Sequence, residues 1–342
     1  MKRRAVLMQA GLGLVMGSTM LSRPFAAAAQ SFEKVTVRLD WTTAGHHAPF
    51  YLALRKGWFR DAGIDADIQQ GNGSVTTVQL VAAGNIDLGH ANLAVMMQGR
   101  DKGMPVRAIA NFVRKNDTGL IVPIDSAIRS PKDLAGKKLL YTAGSLEAPF
   151  LDKFLAIGGL KRDQVELVSV DAAGKMPAYL RGEGDGQFTS VPYGLPYTAS
   201  RPSRGILFAD QGLQFPGFGL LSTDDKIKER GAALGKFATA VAGAWEYINA
   251  GHQDEGVQAI LAAKPNDKLD PKILRAHIDA FGPYLTTAAT KALPIGVMAE
   301  SDFELAVKLM KEVDLMKPSF QASDFYTNRL LDQAKIKHLG SV

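Results

Sequence analysis

Two kinds of hydrophobic pattern alternate along most of the chain. Val35, Val37 and Leu39 are separated by the polar residues Thr36 and Arg38, a period of two that predicts a β-strand. Such segments are followed by longer ones in which apolar residues recur every three or four positions, as in amphipathic helices. Strands that alternate with helices are typical of an α/β fold, and this is the fold class that we expect.

The first predicted strand leads into a polar and aromatic loop. Asp40 and Trp41 open this loop, His46 and His47 close it, and a helix is predicted from Pro49 onward. The carboxyl end of a strand and the start of the next helix form the usual ligand crevice of open α/β sheets. We therefore expect these four side chains to bind a small molecule, although one histidine could instead cap the helix while the other is solvated.

The order of the predicted elements divides the chain into two α/β units. The first unit occupies residues 30–113, and a second unit with the same alternation occupies residues 114–216. From residue 217 onward one strand is followed by four predicted helices, which suggests that the chain returns to the first unit. We thus expect two lobes, the first built from residues 30–113 and 217–342.

Two predicted helix starts are further candidates for binding. Gly144 and Ser145 precede a predicted helix that extends to about Ile157, and Ser74 follows Gly73 at the start of another. Free backbone N–H groups and the positive end of a helix can accept an anion or a polar ligand edge. Many helices start in this way without a ligand, so ordinary capping is the alternative at both places.

Three other side chains complete the predicted site. Glu147 lies in the first turn of its predicted helix, where it either complements the helix dipole or accepts hydrogen bonds from ligand amines. Tyr193, in a loop rich in proline and glycine, and Trp41 are candidates for stacking on a flat ligand, although tyrosines in such loops also serve as packing groups. Asn92 is expected to supply a further hydrogen bond.

The first 29 residues have the composition of an export signal. Lys2, Arg3 and Arg4 precede an apolar stretch from residue 5 to residue 21, and four alanines at 26–29 offer a cleavage site. The arginine pair is compatible with the twin-arginine route as well as with Sec export, and an uncleaved membrane anchor is the alternative. We expect an exported, periplasmic protein.

Composition narrows the possible chemistry. The chain has no cysteine, which excludes disulfides, thiolate metal sites and a cysteine nucleophile. Removing Lys2, Arg3, Arg4 and Arg23 lowers the formal net charge from +6 to +2, so charge gives no case for a nucleic-acid partner.

The sequence gives little support for catalysis. It contains no G-x-S-x-G elbow, P-loop or H-E-x-x-H motif. Adjacent histidines such as His46 and His47 rarely point at one ion, and no carboxylate spacing supports a metal site. We expect no catalytic residues, no metal and no cofactor, with an enzyme that uses His47 with Asp40 or Glu147 as acid and base as the rival hypothesis.

Several motifs, taken in order, resemble one family. They resemble the periplasmic substrate-binding proteins of ABC importers in the NMT1/THI5-like group, whose relatives bind thiamine pyrimidine precursors, while nearby families bind sulfonates, taurine or nitrate. The stretches that carry the resemblance are 39–41, 47–53, 56–59, 62–64, 80–89, 102–106 and 130–137.

The resemblance implies a fold and a mode of action. The implied fold is the two-lobed type II periplasmic binding fold, in which each lobe is a mixed sheet flanked by helices and two crossover strands join the lobes. The implied partners are a small-molecule ligand, held in the cleft, and an ABC transporter permease at the inner membrane. The protein is expected to act as a monomer.

The resemblance also implies which residues meet the ligand. Pyrimidine-binding relatives use the loop after the first strand, which here gives Asp40, Trp41 and His47, so His47 ranks above His46. They also use the segment after the first strand of the second lobe, here residues 144–147, which includes Leu146. A glutamate facing the cleft at position 147 would disfavour an anion and favour a heterocycle with amino groups.

Some members of this family are pyrimidine synthases. Those enzymes carry a cysteine-rich motif and use a histidine of their own as a substrate atom source. This chain has no cysteine, and Val95 falls roughly where that histidine is expected. We therefore expect a binding protein and not a synthase.

Overall fold

The structure, a computed structural model, describes residues 32–342 and contains two separate β-sheets with helices around them. The predicted export signal at 1–29 lies outside the described residues. Within residues 32–342, no helix is both long enough and apolar enough to cross a membrane.

Ten strands form the two sheets. They are β1 (Glu33–Arg38), β2 (Ile64–Gln69), β3 (Leu88–Asn92), β4 (Val106–Asn111), β5 (Thr118–Pro123), β6 (Lys138–Tyr141), β7 (Glu166–Ser169), β8 (Gly186–Ser190), β9 (Ser203–Leu207) and β10 (Phe218–Thr223).

Twelve α-helices are present in the same part of the chain. They are α1 (Ala48–Arg55), α2 (Trp58–Asp61), α3 (Ser74–Ala82), α4 (Leu93–Asp101), α5 (Leu151–Ile157), α6 (Lys175–Leu180), α7 (Val191–Gly194), α8 (Asp224–Asn249), α9 (Gln253–Ala263), α10 (Pro271–Phe281), α11 (Glu300–Glu312) and α12 (Gln333–Leu339).

Both sheets are mixed and have five strands. The first has the order β2-β1-β3-β10-β4, with β1 parallel to β2 and β3 and with β10 antiparallel to its neighbours. The second has the order β7-β6-β8-β5-β9, with β6 parallel to β7 and β8 and with β5 antiparallel to its neighbours. The expected α/β class, with two mixed sheets flanked by helices, is confirmed.

Two connections run between the sheets. Residues 112–117 lead from β4 to β5, and residues 208–217 lead from β9 back to β10. We use lobe 1 for the first sheet with the helices packed on it, and lobe 2 for the second. The long helix α8 packs against α1, β4, β10 and α12, so it belongs to lobe 1. The residue boundaries expected for the lobes stay a prediction.

Two expectations about local structure are wrong at the site. No helix starts at Gly144; this segment is a series of bends, a single 3-10 turn covers Ala148–Phe150, and α5 begins at Leu151. The Glu147 carboxylate accepts the Thr142 N–H at 3.1 Å, which holds the bend. The helix-dipole argument for the Gly144 segment therefore has no basis.

The second wrong expectation concerns the start of α4. The pattern of residues 91–102 predicts a helix from Ala91, but β3 extends to Asn92 and α4 begins at Leu93. The short strand predicted at Ile86 and Leu88 is therefore present but lies further along the chain, and because every residue of β3 is buried, no alternation of polar and apolar residues marks its end.

Gly73 lies at a point where the backbones of the two lobes are in direct contact. Its φ of 143° is in the region that favours glycine, and a Cβ added there would collide with the Gly144 carbonyl of lobe 2. The neighbouring Val75 N–H donates to that same carbonyl at 3.0 Å. Closure of the lobes thus depends on the absence of a side chain at position 73.

We predict that Gly73→Ala holds the lobes apart. Small-angle X-ray scattering should give a larger radius of gyration than for the wild type, because the methyl group and the Gly144 carbonyl cannot occupy the same space. Gly57→Ala is the matched control, since Gly57 also has a positive φ (78°) but its added Cβ meets nothing within 4 Å. Each substitution should lower the free energy of unfolding by about 1–3 kcal/mol through backbone strain. Equal radii of gyration for the two variants would contradict this account.

Candidate functional site

A buried carboxylate at the end of β1 organises the candidate site. Asp40 Oδ1 accepts hydrogen bonds from His47 Nε2 at 2.9 Å and from His90 Nδ1 at 2.7 Å, and His46 Nε2 lies 3.6 Å away. We call these four residues the aspartate–histidine cluster. All of them are buried.

The hydrogen bonds of His47 define its protonation. Its Nδ1 accepts the Ala44 N–H at 3.1 Å, so its proton is on Nε2, which donates to Asp40. Burial is the main cause that lowers the pKa of His47 to about 3, and the neighbouring His46 adds to it. His47 is therefore neutral, and both of its nitrogens are already engaged.

His90 and Asp40 complete this arrangement. Burial lowers the pKa of His90, whose ring stacks on Phe218 with the centroids 5.4 Å apart. Burial by itself would raise the pKa of Asp40, but His47, the hydrogen bonds from His47 and His90, and the nearby His46 ring hold that pKa well below its usual value. Asp40 is thus an ionised, buried carboxylate supported by neutral N–H donors.

His46 is the member of the cluster that remains free to bind. Neither of its ring nitrogens has a hydrogen-bond partner within residues 32–342, although both are buried. Its ring lies 4.8 Å from that of Phe281 and 5.6 Å from that of Phe218, measured between centroids. This reverses the expected ranking, because His46 faces the pocket and His47 lies behind it.

The pocket lies between the lobes, and its cavity of about 20 Å³ has room for little more than one water molecule. This is far below the range of about 300–1,000 Å³ for small-molecule pockets, so the side chains that line it must move apart to admit a ligand. Its walls are formed by Asp40, Trp41, His46, Ser74, Ser145, Leu146, Lys175, Thr189, Ser190, Tyr193 and Phe218.

Seven of the eleven expected site residues are in these walls, and four are not. His47 is behind His46, and Gly144 is used in the contact between the lobes. Asn92 caps α4 by accepting the N–H groups of Ala94 and Val95, and its own N–H donates to Ser74 at 3.1 Å. Glu147, the fourth, is fully buried.

Glu147 forms an ion pair that the sequence did not reveal. Lys175 Nζ donates to Glu147 Oε1 at 2.7 Å and to the Phe188 carbonyl at 2.8 Å, and both charged side chains are buried. Lys175, and not Glu147, reaches the pocket wall, where its Nζ lies 5.3 Å from the Trp41 ring. The expectation that a glutamate faces the cleft is wrong, because this carboxylate is neutralised behind the wall.

The aromatic residues close the pocket by direct contact between the lobes. Trp41 Nε1 donates to the Tyr193 hydroxyl at 3.1 Å, and the two rings meet edge to face at 75°. Rings at this angle cannot both stack on one planar ligand. His277 of α10 supports Tyr193, because its Nδ1 accepts the Gly45 N–H and its Nε2 donates to the Tyr193 carbonyl at 3.0 Å. Burial lowers the pKa of His277 to about 3.

A second buried acid, Asp117, lies beside the pocket at the end of the 112–117 connection. Burial raises the pKa of its carboxyl to about 7. Neither carboxyl oxygen has a hydrogen-bond partner among residues 32–342. In the sequence Asp117 is only a polar residue before a buried strand, and no signal there identifies it as part of a site.

Three side chains of the cluster also carry atoms that can bind metal ions. These atoms, in Asp40, His47 and His90, lie within 4.8 Å of one another. The hydrogen bonds do not fit this use. His47 Nε2 carries the proton that Asp40 accepts, and His90 would have to leave a buried Nε2–H without a partner if its Nδ1 bound a metal. The arrangement fits a hydrogen-bonded cluster better than a metal site.

Comparison with known proteins agrees with the resemblance seen in the sequence. Residues 44–255 match the family described as NMT1/THI5 like. A Haemophilus influenzae protein named for thiamine biosynthesis is 29% identical over 243 residues, which cover 70% of this chain and 76% of that protein. The formylaminopyrimidine-binding protein of Halalkalibacterium halodurans is 22% identical over 319 residues, which cover 87% of this chain and 91% of that protein.

Solved structures give the same fold. The alkanesulfonate-binding protein of Xanthomonas axonopodis pv. citri, bound to MOPS, matches with a TM-score of 0.65 and 15% identity over 86% of this chain and 98% of that one. At this identity the likeness concerns the fold alone. The family match covers more than half of the chain, and we conclude that the protein belongs to the NMT1/THI5 like family and has the fold of the periplasmic binding proteins of ABC importers.

Proposed function

We propose that this protein is the exported, periplasmic substrate-binding component of an ABC importer. Its ligand is a small planar heterocycle that carries amino groups, similar to the pyrimidine precursors of thiamine. The lobes close on the ligand by a hinge motion, and the closed form docks on a membrane permease as a monomer. The supporting observation is the pocket itself, which is small, lies between the lobes and is richer in hydrogen-bond acceptors than in free cations.

The charges around the pocket favour a ligand that donates hydrogen bonds. Asp40 is ionised, and the hydroxyl groups of Ser74, Ser145, Thr189 and Ser190 can accept as well as donate. The one cation in the pocket wall, Lys175, is paired with Glu147. An N–H donor on the ligand would find partners here, whereas a bare anion would meet the field of Asp40.

The relative from Halalkalibacterium halodurans supports the same ligand class. Its name states that it binds a formylaminopyrimidine, and its similarity extends over 87% of this chain. An aminopyrimidine offers a flat ring for either Trp41 or Tyr193 and amino protons for the acceptors.

An anion such as a sulfonate, taurine or nitrate is the second candidate. Lys175 favours it, because its Nζ is in the pocket wall and only two of its three protons are used by Glu147 and Phe188. An alkanesulfonate-binding protein has the same fold. The binding experiment described below therefore includes anionic ligands.

Binding without chemistry is supported by the state of the residues proposed for catalysis. A general base at His47 would need a free nitrogen and a pKa near neutrality. His47 has neither, since both nitrogens are engaged and burial lowers its pKa to about 3. We therefore prefer a binding protein over an enzyme with the synthase fold.

Isothermal titration calorimetry with a panel of ligands tests the function. The panel contains 4-amino-5-hydroxymethyl-2-methylpyrimidine, formylaminopyrimidine, taurine, an alkanesulfonate and nitrate. We expect saturable binding of one stoichiometric equivalent of an aminopyrimidine, recovered unchanged. Retention of the anions alone would refute the heterocycle, and conversion of a ligand into product would refute a pure binding role.

We predict opposite effects for substitution of the two adjacent histidines. His46→Ala should weaken ligand binding at least tenfold and cost less stability than His47→Ala, because His46 has free nitrogens in the pocket wall and donates no hydrogen bond to Asp40. His47→Ala should lower the free energy of unfolding by about 1–3 kcal/mol, because it removes a buried N–H donor from Asp40. Urea denaturation and calorimetry measure both. A larger loss of affinity in His47→Ala at unchanged stability would contradict the assignment.

We predict that the double variant Glu147→Gln/Lys175→Met separates the two ligand classes. It removes both charges of the buried pair together, so neither is left unpaired. An aminopyrimidine should retain its affinity within about tenfold, whereas a sulfonate that depends on the Lys175 charge should lose at least a hundredfold. Loss of the aminopyrimidine by a hundredfold or more in a folded variant would show that the pair serves the heterocycle directly.

A further inference from the structure

Asp117 lies at the junction between the two lobes. It ends the connection from β4 to β5, and its backbone carbonyl accepts the Val191 N–H of α7 at 2.8 Å. The next residue, Thr118, pairs with Ser190 across the β5–β8 ladder. Its side chain is therefore held by rigid strands beside the turn that carries Tyr193.

The groups that face Asp117 are also groups of the pocket. Its electrostatic neighbours are His46 and Asp40, and Tyr284 follows α10 on the other side. Ser190 lies next to it in the pocket wall, near enough to lower the pKa of Asp117 against the effect of burial, although within residues 32–342 its hydroxyl forms no hydrogen bond of normal geometry. None of these neighbours is a lysine or an arginine.

A fully buried carboxyl group without hydrogen bonds is costly for a folded protein. Native structures leave few buried polar atoms without a partner, and such atoms call for a specific explanation. Here the two oxygens of Asp117, both ring nitrogens of His46, the Ser190 hydroxyl and Glu147 Oε2 all lack one within the described chain. His46 and Ser190 line the pocket, whereas Asp117 lies beside it and Glu147 lies behind its wall.

We propose that the Asp117 carboxylate accepts the N–H groups of the ligand and selects for an amino-substituted heterocycle. The proposal rests on the proposed function and deepens it. The ionised carboxylate accepts the N–H groups of an exocyclic amino group on the neutral ring in charge-assisted hydrogen bonds. Ser190 and His46 then bind the remaining polar atoms of the ring.

The proposal has a consequence for pH. Burial raises the pKa of Asp117 to about 7, so this carboxyl stays protonated in the folded, ligand-free protein up to about pH 7, whereas in the unfolded chain it ionises at about pH 4. Donors on the ligand favour the ionised carboxylate, so binding should tighten as pH rises from 6 to 8. In the ligand-free protein the stability should fall as pH rises from about 4 to about 7, because over this range the unfolded chain has released the Asp117 proton and the folded protein still holds it.

The test compares the wild type with Asp117→Asn by calorimetry and thermal unfolding, with the full mature chain. The probes are 4-amino-5-hydroxymethyl-2-methylpyrimidine and its analogue in which oxygen replaces the amino group. The matched control is Asp163→Asn, which removes the same charge at an exposed position of lobe 2.

We expect Asp117→Asn to weaken binding of the aminopyrimidine at least tenfold at pH 8 and to abolish the pH dependence of Kd between pH 6 and pH 8. It should also lose the preference for the amino over the oxygen analogue. Without ligand, the variant should melt at a higher temperature than the wild type at pH 8 and at a similar temperature at pH 5. Asp163→Asn should behave as the wild type.

Three results would overturn the proposal. Unchanged affinity and pH dependence in Asp117→Asn would remove Asp117 from the site, while leaving aminopyrimidine binding intact as a function. A ligand-free variant that is less stable at both pH values would indicate a structural role. If the variant does not fold, the pH dependence of binding by the wild type still tests the proposal. A wild-type Kd that is constant from pH 6 to pH 8 would contradict it. A wild type that binds no pyrimidine would instead refute the proposed function itself.

Discussion

The ionised carboxylate of Asp40 is the interaction on which the site depends. It is buried, so it must receive hydrogen bonds, and it receives them from two neutral histidines that come from different segments of lobe 1. His47 lies on the loop after β1 and His90 on β3, so the contact fixes that loop against the sheet. The same constraint leaves His46, the adjacent residue, directed at the pocket with its nitrogens free.

Closure of the lobes uses a second set of contacts, which are backbone and aromatic. Gly73 gives the Gly144 carbonyl room to approach, and Trp41 and Tyr193 join the lobes by a hydrogen bond at 3.1 Å. His277 links the Gly45 N–H to the Tyr193 carbonyl, so α10 couples the loop of lobe 1 to the turn of lobe 2. The pocket is thus lined by residues of both lobes, as the proposed capture of a ligand by closure requires.

Local pattern predicted the part of the site that is local in sequence. Asp40, Trp41 and His46 follow a strand with clear alternation and precede a helix with a proline in its first turn, and this is where the structure has them. The alternation of elements likewise predicted the α/β class. Strand β5 escaped prediction because it is buried along nearly all of its length and shows no alternation.

The rest of the site is made by contacts that are distant in sequence. Lys175 reaches Glu147 across 28 positions, and His277 reaches Gly45 across 232. No local pattern in the chain marks Lys175, His277 or Asp117 as members of one pocket. The role given to Glu147 was wrong for the same reason, since only the packing of α6 brings a lysine to neutralise it.

Nitrogen-15 NMR of the six histidines, recorded while an aminopyrimidine is added, tests the central claim most directly. The account predicts that His47 and His90 are neutral before and after binding, with the proton of His47 on Nε2, and that the ring nitrogens of His46 shift strongly. A charged His47, or a His47 that responds to the ligand while His46 does not, would contradict it.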